Sequence, residues 1–120
     1  MGRVQTIQHR GKNVLIEDFS EIKPGDEFRA AIDEARRFIA SQPPKSVLAL
    51  FDATGSRFNT EALGEMKQFT KDNEPFIKAS AVVGIEGILS IALMAVSRFS
   101  GRTFETFTDR PSALDWLVEQ

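Results

Sequence analysis

Apolar residues along this chain repeat with two periods, and the two alternate. Stretches of period 2, or short continuous apolar runs, read as strands; stretches of period 3.6 read as helices. The first two strand-like stretches cover about 3–9 and 13–18, joined by Arg10-Gly11-Lys12. A Gly at so short a join supplies the positive φ of a hairpin turn. In Asn13-Val14-Leu15-Ile16-Glu17-Asp18 the apolar residues are consecutive, which predicts burial on both faces of the strand. A helix follows from near Pro24-Gly25-Asp26, with Phe28, Ala31, Ile32, Ala35, Phe38 and Ile39 on one face. Gln42-Pro43-Pro44 ends it, because Pro cannot continue the hydrogen-bond ladder.

The run Ser46-Val47-Leu48-Ala49-Leu50-Phe51-Asp52 predicts a central strand with Asp52 at its carboxyl end. After a polar loop, Asn59 or Thr60 can cap the next helix by accepting from its free N–H groups. That helix carries Ala62, Leu63, Met66, Phe69 and Thr70 on one face and stops at Asn73-Glu74-Pro75. A strand is predicted over 77–83, a helix over about 86–99 and a strand over 103–107. Thr108 or Asp109 opens a last helix through Trp116 and Leu117, with Pro111 in its first turn, where no intrahelical donor is lost. The predicted order is β-β-α-β-α-β-α-β-α. Such alternation argues for one α/β domain over 1–120, with a mostly parallel sheet of four to five strands flanked by helices. The opening hairpin adds an antiparallel strand at an edge.

That order resembles the STAS domain superfamily, and within it the SpoIIAA-like, anti-sigma factor antagonist-like small bacterial proteins. Lys12-Asn13-Val14-Leu15-Ile16-Glu17-Asp18-Phe19-Ser20 is similar to the early strand of that branch. Phe51-Asp52-Ala53-Thr54-Gly55 is similar to its third strand and the loop after it. The ending from Phe107 to Leu117 resembles the Ala-Leu-x-Trp-Leu close of many of these proteins. The resemblance implies a SpoIIAA-like fold, a four- to five-stranded sheet flanked by helices; it does not imply one activity, because function lives in sites and not in folds. In anti-sigma factor antagonists an Asp-x-Ser-Gly word carries a phosphorylated Ser; here Thr54 stands in its place within Asp52-Ala53-Thr54-Gly55. The loop then departs from the pattern, being longer and basic at Arg57.

Two surfaces stand out as candidates. One is the loop 52–60, with Asp52, Thr54, Gly55, Ser56, Arg57 and Asn59 as binding or switch residues. It lies at the carboxyl end of a strand and the amino end of a helix, where open α/β sheets bind ligands. A phosphate on Thr54 would find Arg57 and backbone amides nearby. The plain alternative is a βα turn whose polar residues only cap the helix. The other surface is the third helix. Ile88, Leu89, Ala92, Ala95, Val96 and Phe99 cluster on one side, while Ile91, Leu93 and Met94 fall beyond them. A helix apolar nearly all round is buried by something further: a protein partner, a second copy, or a small apolar ligand. Here the plain alternative is a wide core face with a stray Met.

Composition narrows the chemistry. The chain has no Cys and one His, with 15 Lys and Arg against 17 Asp and Glu. Thiol catalysis, thiolate metal sites and disulfides are thereby removed. A net charge of −2 argues against a nucleic-acid partner. His9 lies in a turn-like segment beside basic residues, which reads as a surface His rather than part of a triad. Val83-Gly84-Ile85-Glu86-Gly87 lacks the Lys and Ser/Thr of a phosphate loop. Asp18 and Asp52 sit near strand ends and can share one rim, but no third metal ligand follows from the spacing. No cofactor, metal or catalytic residue is expected, and no membrane span; a cytoplasmic location is the expectation. The first functional expectation is therefore a non-enzymatic STAS-like regulatory or interaction module. The second is a carrier of a small apolar or lipid-like molecule, and the third a small hydrolase using Asp18 or Asp52.

Overall fold

The computed structural model of the protein describes residues 2–120. Arg10 and Gly11 take φ values of 51° and 80°. Positive φ at both central residues is the mark of a type I′ turn, whose twist matches the strands it joins. It joins β1 (Val4–His9) to β2 (Lys12–Asp18) as an antiparallel pair, with His9 opposite Lys12. There follow α1 (Asp26–Ala40), β3 (Val47–Asp52), α2 (Thr60–Asn73) and a 3₁₀ turn (Glu74–Phe76). The chain continues through β4 (Ile77–Val83), α3 (Ile88–Ser100), β5 (Glu105–Phe107) and α4 (Arg110–Leu117). The helix expected from 86 begins at Ile88, because Gly87 turns with φ 57° and serves as its N-cap. The strand expected from 103 begins at Glu105, after Arg102 has turned inward to Thr70 and Ser80.

The five strands lie in the order β1-β2-β3-β4-β5, with every contact after the hairpin parallel. Strand order and chain order coincide. Each βαβ crossover therefore steps the same way across the sheet, and crossovers of one hand put their helices on one face. The structure has this arrangement: side chains of α1, α2 and α3 gather over a single face, and α4 covers the other.

Alternation along the central strands divides the core accordingly. Val14, Ile16, Leu48, Leu50, Ala81 and Val83 point toward α4 and pack with Ala113 and Leu117. Leu15, Val47 and Ala49 point the other way, against Phe28, Ile32, Ala35 and Ile39 of α1 and Phe69 of α2. Both faces of β2 are buried, as its consecutive apolar residues predict. That burial extends to Glu17, which is only 5 % exposed.

The single His is not isolated. His9 Nε2 lies 2.8 Å from Asp115 Oδ1, and Arg10 approaches the same oxygen at 3.3 Å. The cluster ties the hairpin to α4 across 106 residues of chain. Its bond to His9 is the main cause holding the Asp115 carboxyl below its ordinary value, with the charge of Arg10 adding to it.

Candidate functional site

The loop after β3 is tightly organised by Asp52. Its Oδ1 accepts from the Thr54 hydroxyl at 2.6 Å and from the Thr54 N–H at 2.9 Å. Its Oδ2 accepts from Arg110 Nε at 2.8 Å. Burial pushes the Asp52 carboxyl up, but the Thr54 and Arg110 hydrogen bonds outweigh it and hold the group below its ordinary value. Asp18, opposite Asp52 in the β2–β3 register, takes the other end of the guanidinium, with Arg110 Nη2 at 3.3 Å. It also accepts from the Ser20 hydroxyl at 2.5 Å. The two carboxylates do share a rim, but they share it around a cation supplied by α4. Among the described residues no group of three or more His, Asp or Glu is placed to hold a metal ion.

The other loop residues divide by role. Asn59 is the cap of α2: its side chain accepts from the Ala62 N–H at 2.8 Å. Gly55 is exposed at the tip of a turn closed by the Ser56 N–H donating to Ala53 O. Thr54 is exposed, yet its backbone lies so close to Gly84 that a Cβ there would come within 2.6 Å of Thr54 N. Only Gly at position 84 lets the two loops approach. Ser56 and Arg57 turn the opposite way from Thr54 and line a cavity on the other face of the sheet. The cation beside the Thr54–Asp52 pair is Arg110 rather than Arg57.

That cavity lies between the sheet, α2 and α3, and has a volume of about 120 Å³. Its floor is the row Glu17, Phe51 and Val82, which are neighbours across β2, β3 and β4, with Ala49 and Ser80 one row along. Phe58, Leu63, Met66 and Phe69 wall it on the α2 side. Leu89, Ala92, Leu93 and Val96 roof it from α3. The small side chains of Ala49, Ser80 and Ala92 leave the space. A cavity of similar size, roughly 150 Å³ and lined by apolar residues, stays dry and takes up benzene.

One end of the cavity is polar. Arg102 reaches in from the α3–β5 connection, and its Nη1 donates to Thr70 O at 3.1 Å. Its Nη2 donates to the Ser80 hydroxyl oxygen. The guanidinium also lies over the Phe104 ring, 4.8 Å from the centroid. Glu17 is on the same lining, and its Oε2 is buried with no hydrogen-bond partner among the described residues. Burial pushes the Glu17 carboxyl up to about 7, against the opposing pull of the Arg102 charge. Burial lowers Arg102 in turn, offset by Glu17 and Glu74; a guanidinium so placed keeps its charge.

The third helix is turned relative to its expected face. Leu89, Ala92, Leu93 and Val96 form the inward stripe, at positions i, i+3, i+4 and i+7. Ile88 and Phe99, grouped by periodicity with that face, are exposed, as are Ile91 at 67 % and Met94 at 53 %. Phe99 instead lies against α2, with Lys71 Nζ 5.3 Å from its ring centroid. Two apolar stripes run side by side on this helix, and apolarity alone does not say which one faces the sheet. Leu93 thus lines the cavity, while Ile91 and Met94 face outward.

No family model and no curated protein matches the chain. A solved structure does: an uncharacterised protein of the DUF3478 family from Shewanella loihica PV-4, itself described as having a SpoIIAA-like fold. The two align with a TM-score of 0.74, covering 95 % of this chain and 91 % of that one. The fold is SpoIIAA-like. Sequence identity is 17 %, so the likeness carries the architecture and no site residue. Among the described residues no helix is long and apolar enough to cross a membrane.

Proposed function

We propose that this SpoIIAA-like domain is a non-catalytic module that binds a small molecule with an apolar body in the cavity beneath α3. One observation carries the reading. Two surfaces far apart in sequence, the loop at Ser56–Phe58 and the inward stripe of α3, meet as walls of one apolar cavity that the packing leaves open. Well-packed cores hold few voids larger than a water molecule, and apolar pockets with a few convergent polar groups are the usual form of a small-molecule site. The test is native mass spectrometry of protein purified without detergent, beside the variant Ala92→Phe. The expected result is a retained small molecule that the variant lacks. Uniformly bare protein that also takes up no added apolar compound would remove the reading.

A second reading keeps the loop as a regulatory surface. The exposed Thr54 hydroxyl is bonded to Asp52, and Asp52 holds Arg110 at the first turn of α4. A phosphate on Thr54 would break the first bond and compete for the same guanidinium, so it would loosen α4 from the end of β3. Phosphopeptide mass spectrometry on protein from its native cell tests this. Complete coverage of the loop without modified Thr54 or Ser56 would sink it.

A further inference from the structure

We infer that the polar end of the cavity reads a carboxylate: the ligand is a small monocarboxylic acid, its headgroup taken by Arg102 and Glu17 and its chain lying under α3. The inference rests on the cavity being a ligand site, and adds the chemistry of what enters it. Glu17 and Arg102 line the same space without forming an ion pair among the described residues. Two donors of the guanidinium are taken by Thr70 and Ser80, which fixes its plane and leaves further N–H groups for an acceptor. Glu17 Oε2, on a residue 5 % exposed, has no hydrogen-bond partner among the described residues. A buried polar atom in that condition costs free energy until something bonds it.

The charges on the lining select among headgroups. They are Glu17, Arg102 and Arg57, with Glu74 acting on Arg102 from the 3₁₀ turn outside. Arg102 and Arg57 are permanent cations. Glu17 is largely uncharged below about 7, because burial raises it. The net field is positive, so an amine is repelled. A carboxylate is an acceptor-only group that fits the guanidinium fork and accepts as well from the protonated Glu17 O–H. An alcohol makes hydrogen bonds there but gains nothing from the charge. Binding the anion favours protonated Glu17, so affinity falls as pH rises through the range where Glu17 ionises.

Calorimetric titration with butanoate, butanol and butylamine, each of about benzene's size and so matched to the 120 Å³ space, separates the possibilities on the unmodified protein. Butanoate should bind tightest at pH 6, by roughly tenfold over butanol. Its affinity should drop roughly tenfold by pH 8, and Glu17→Gln should flatten that slope. Butanol or butylamine binding as tightly as butanoate overturns the headgroup inference and leaves the cavity as a site. A flat pH response to butanoate in the unmodified protein overturns the part given to Glu17. No saturable binding by any of the three overturns both the inference and the reading beneath it. The headgroup ranking needs no variant, so the test stands even if Glu17→Gln fails to fold.

Discussion

The two faces of the sheet are built to different specifications. On the α4 side every central position is apolar, and Leu50, Ala81, Ala113 and Leu117 are completely shielded from solvent. On the opposite side α1 packs in the same way, but beneath α3 the layer holds Glu17, Ser80, Arg102 and an open volume. Stability alone calls for the first kind of face. An unpartnered buried carboxyl costs free energy, and unfilled space forfeits dispersion contacts. That the weaker packing and the unpaired polar atom occur together is what a binding site accounts for and a core does not. The proposed site therefore lies on the side of the sheet where the packing is incomplete.

Truncating a core leucine on each face should separate the two most strongly. Leu117→Ala should lower unfolding free energy by about 3 kcal/mol, the usual cost of emptying a closed core site. Leu93→Ala borders space already and should cost less than about half as much. Urea denaturation measures both. Equal losses would mean that the two faces are packed alike.

Titration of the two sides should have opposite signs. Glu17 favours its proton more in the folded chain than in the unfolded one, with a folded value near 7 against an ordinary 4.5. Stability should therefore fall as pH rises from about 4.5 to about 7, by roughly 3 kcal/mol in all, and level off above. Asp52 on the α4 side is held below its ordinary value, so its contribution is present at neutral pH and lost on acidification. Glu17→Gln should flatten the upper slope and Asp52→Asn the acid limb. Thermal unfolding followed across pH checks each variant. An upper slope unchanged in Glu17→Gln would mean that another group sets it.

Much of this architecture was legible in the chain. The hairpin at Gly11, the strand over 77–83 and a cap at Asn59 or Thr60 follow from rules local to a few residues; the structure takes Asn59 as the cap. The SpoIIAA-like architecture followed from the order of elements. The site was less legible. Glu17 closes an apolar run and reads as the polar end of a strand; its burial is set by α3 and Arg102, which arrive some 70–85 residues later in the chain. The signal that was present is the shortage of polar residues around it, which already made β2 a two-faced strand. Arg102, next to a Gly, reads as a helix-end cation, and nothing nearby in sequence says that it turns inward. The rotation of α3 was hidden for another reason. Its two apolar stripes differ by one residue of register, and only tertiary packing chooses between them.

Filling the cavity should separate packing from binding. Ala92→Leu on the inward stripe of α3 should change stability by less than about 1 kcal/mol, because it enters open space, yet abolish ligand uptake. Ala113→Leu on the α4 face should cost about 1–3 kcal/mol by overpacking. The smallest effect belongs to the outer side of the same helix. Ile91→Ser with Met94→Ser should stay within about 0.5 kcal/mol, as exposed positions generally do. A large loss there in the isolated monomer would show that this side is packed in a way the exposures of 67 % and 53 % do not reveal.

Whether the space beneath α3 receives a ligand is decided by methyl-resolved NMR titration with butanoate. Saturable shifts are expected at Leu89, Leu93, Val96 and Val82, with Val14, Leu50 and Leu117 on the α4 face unmoved. Absence of saturable shifts, or shifts gathered on the α4 face or on Ile91 and Met94, would contradict binding beneath α3.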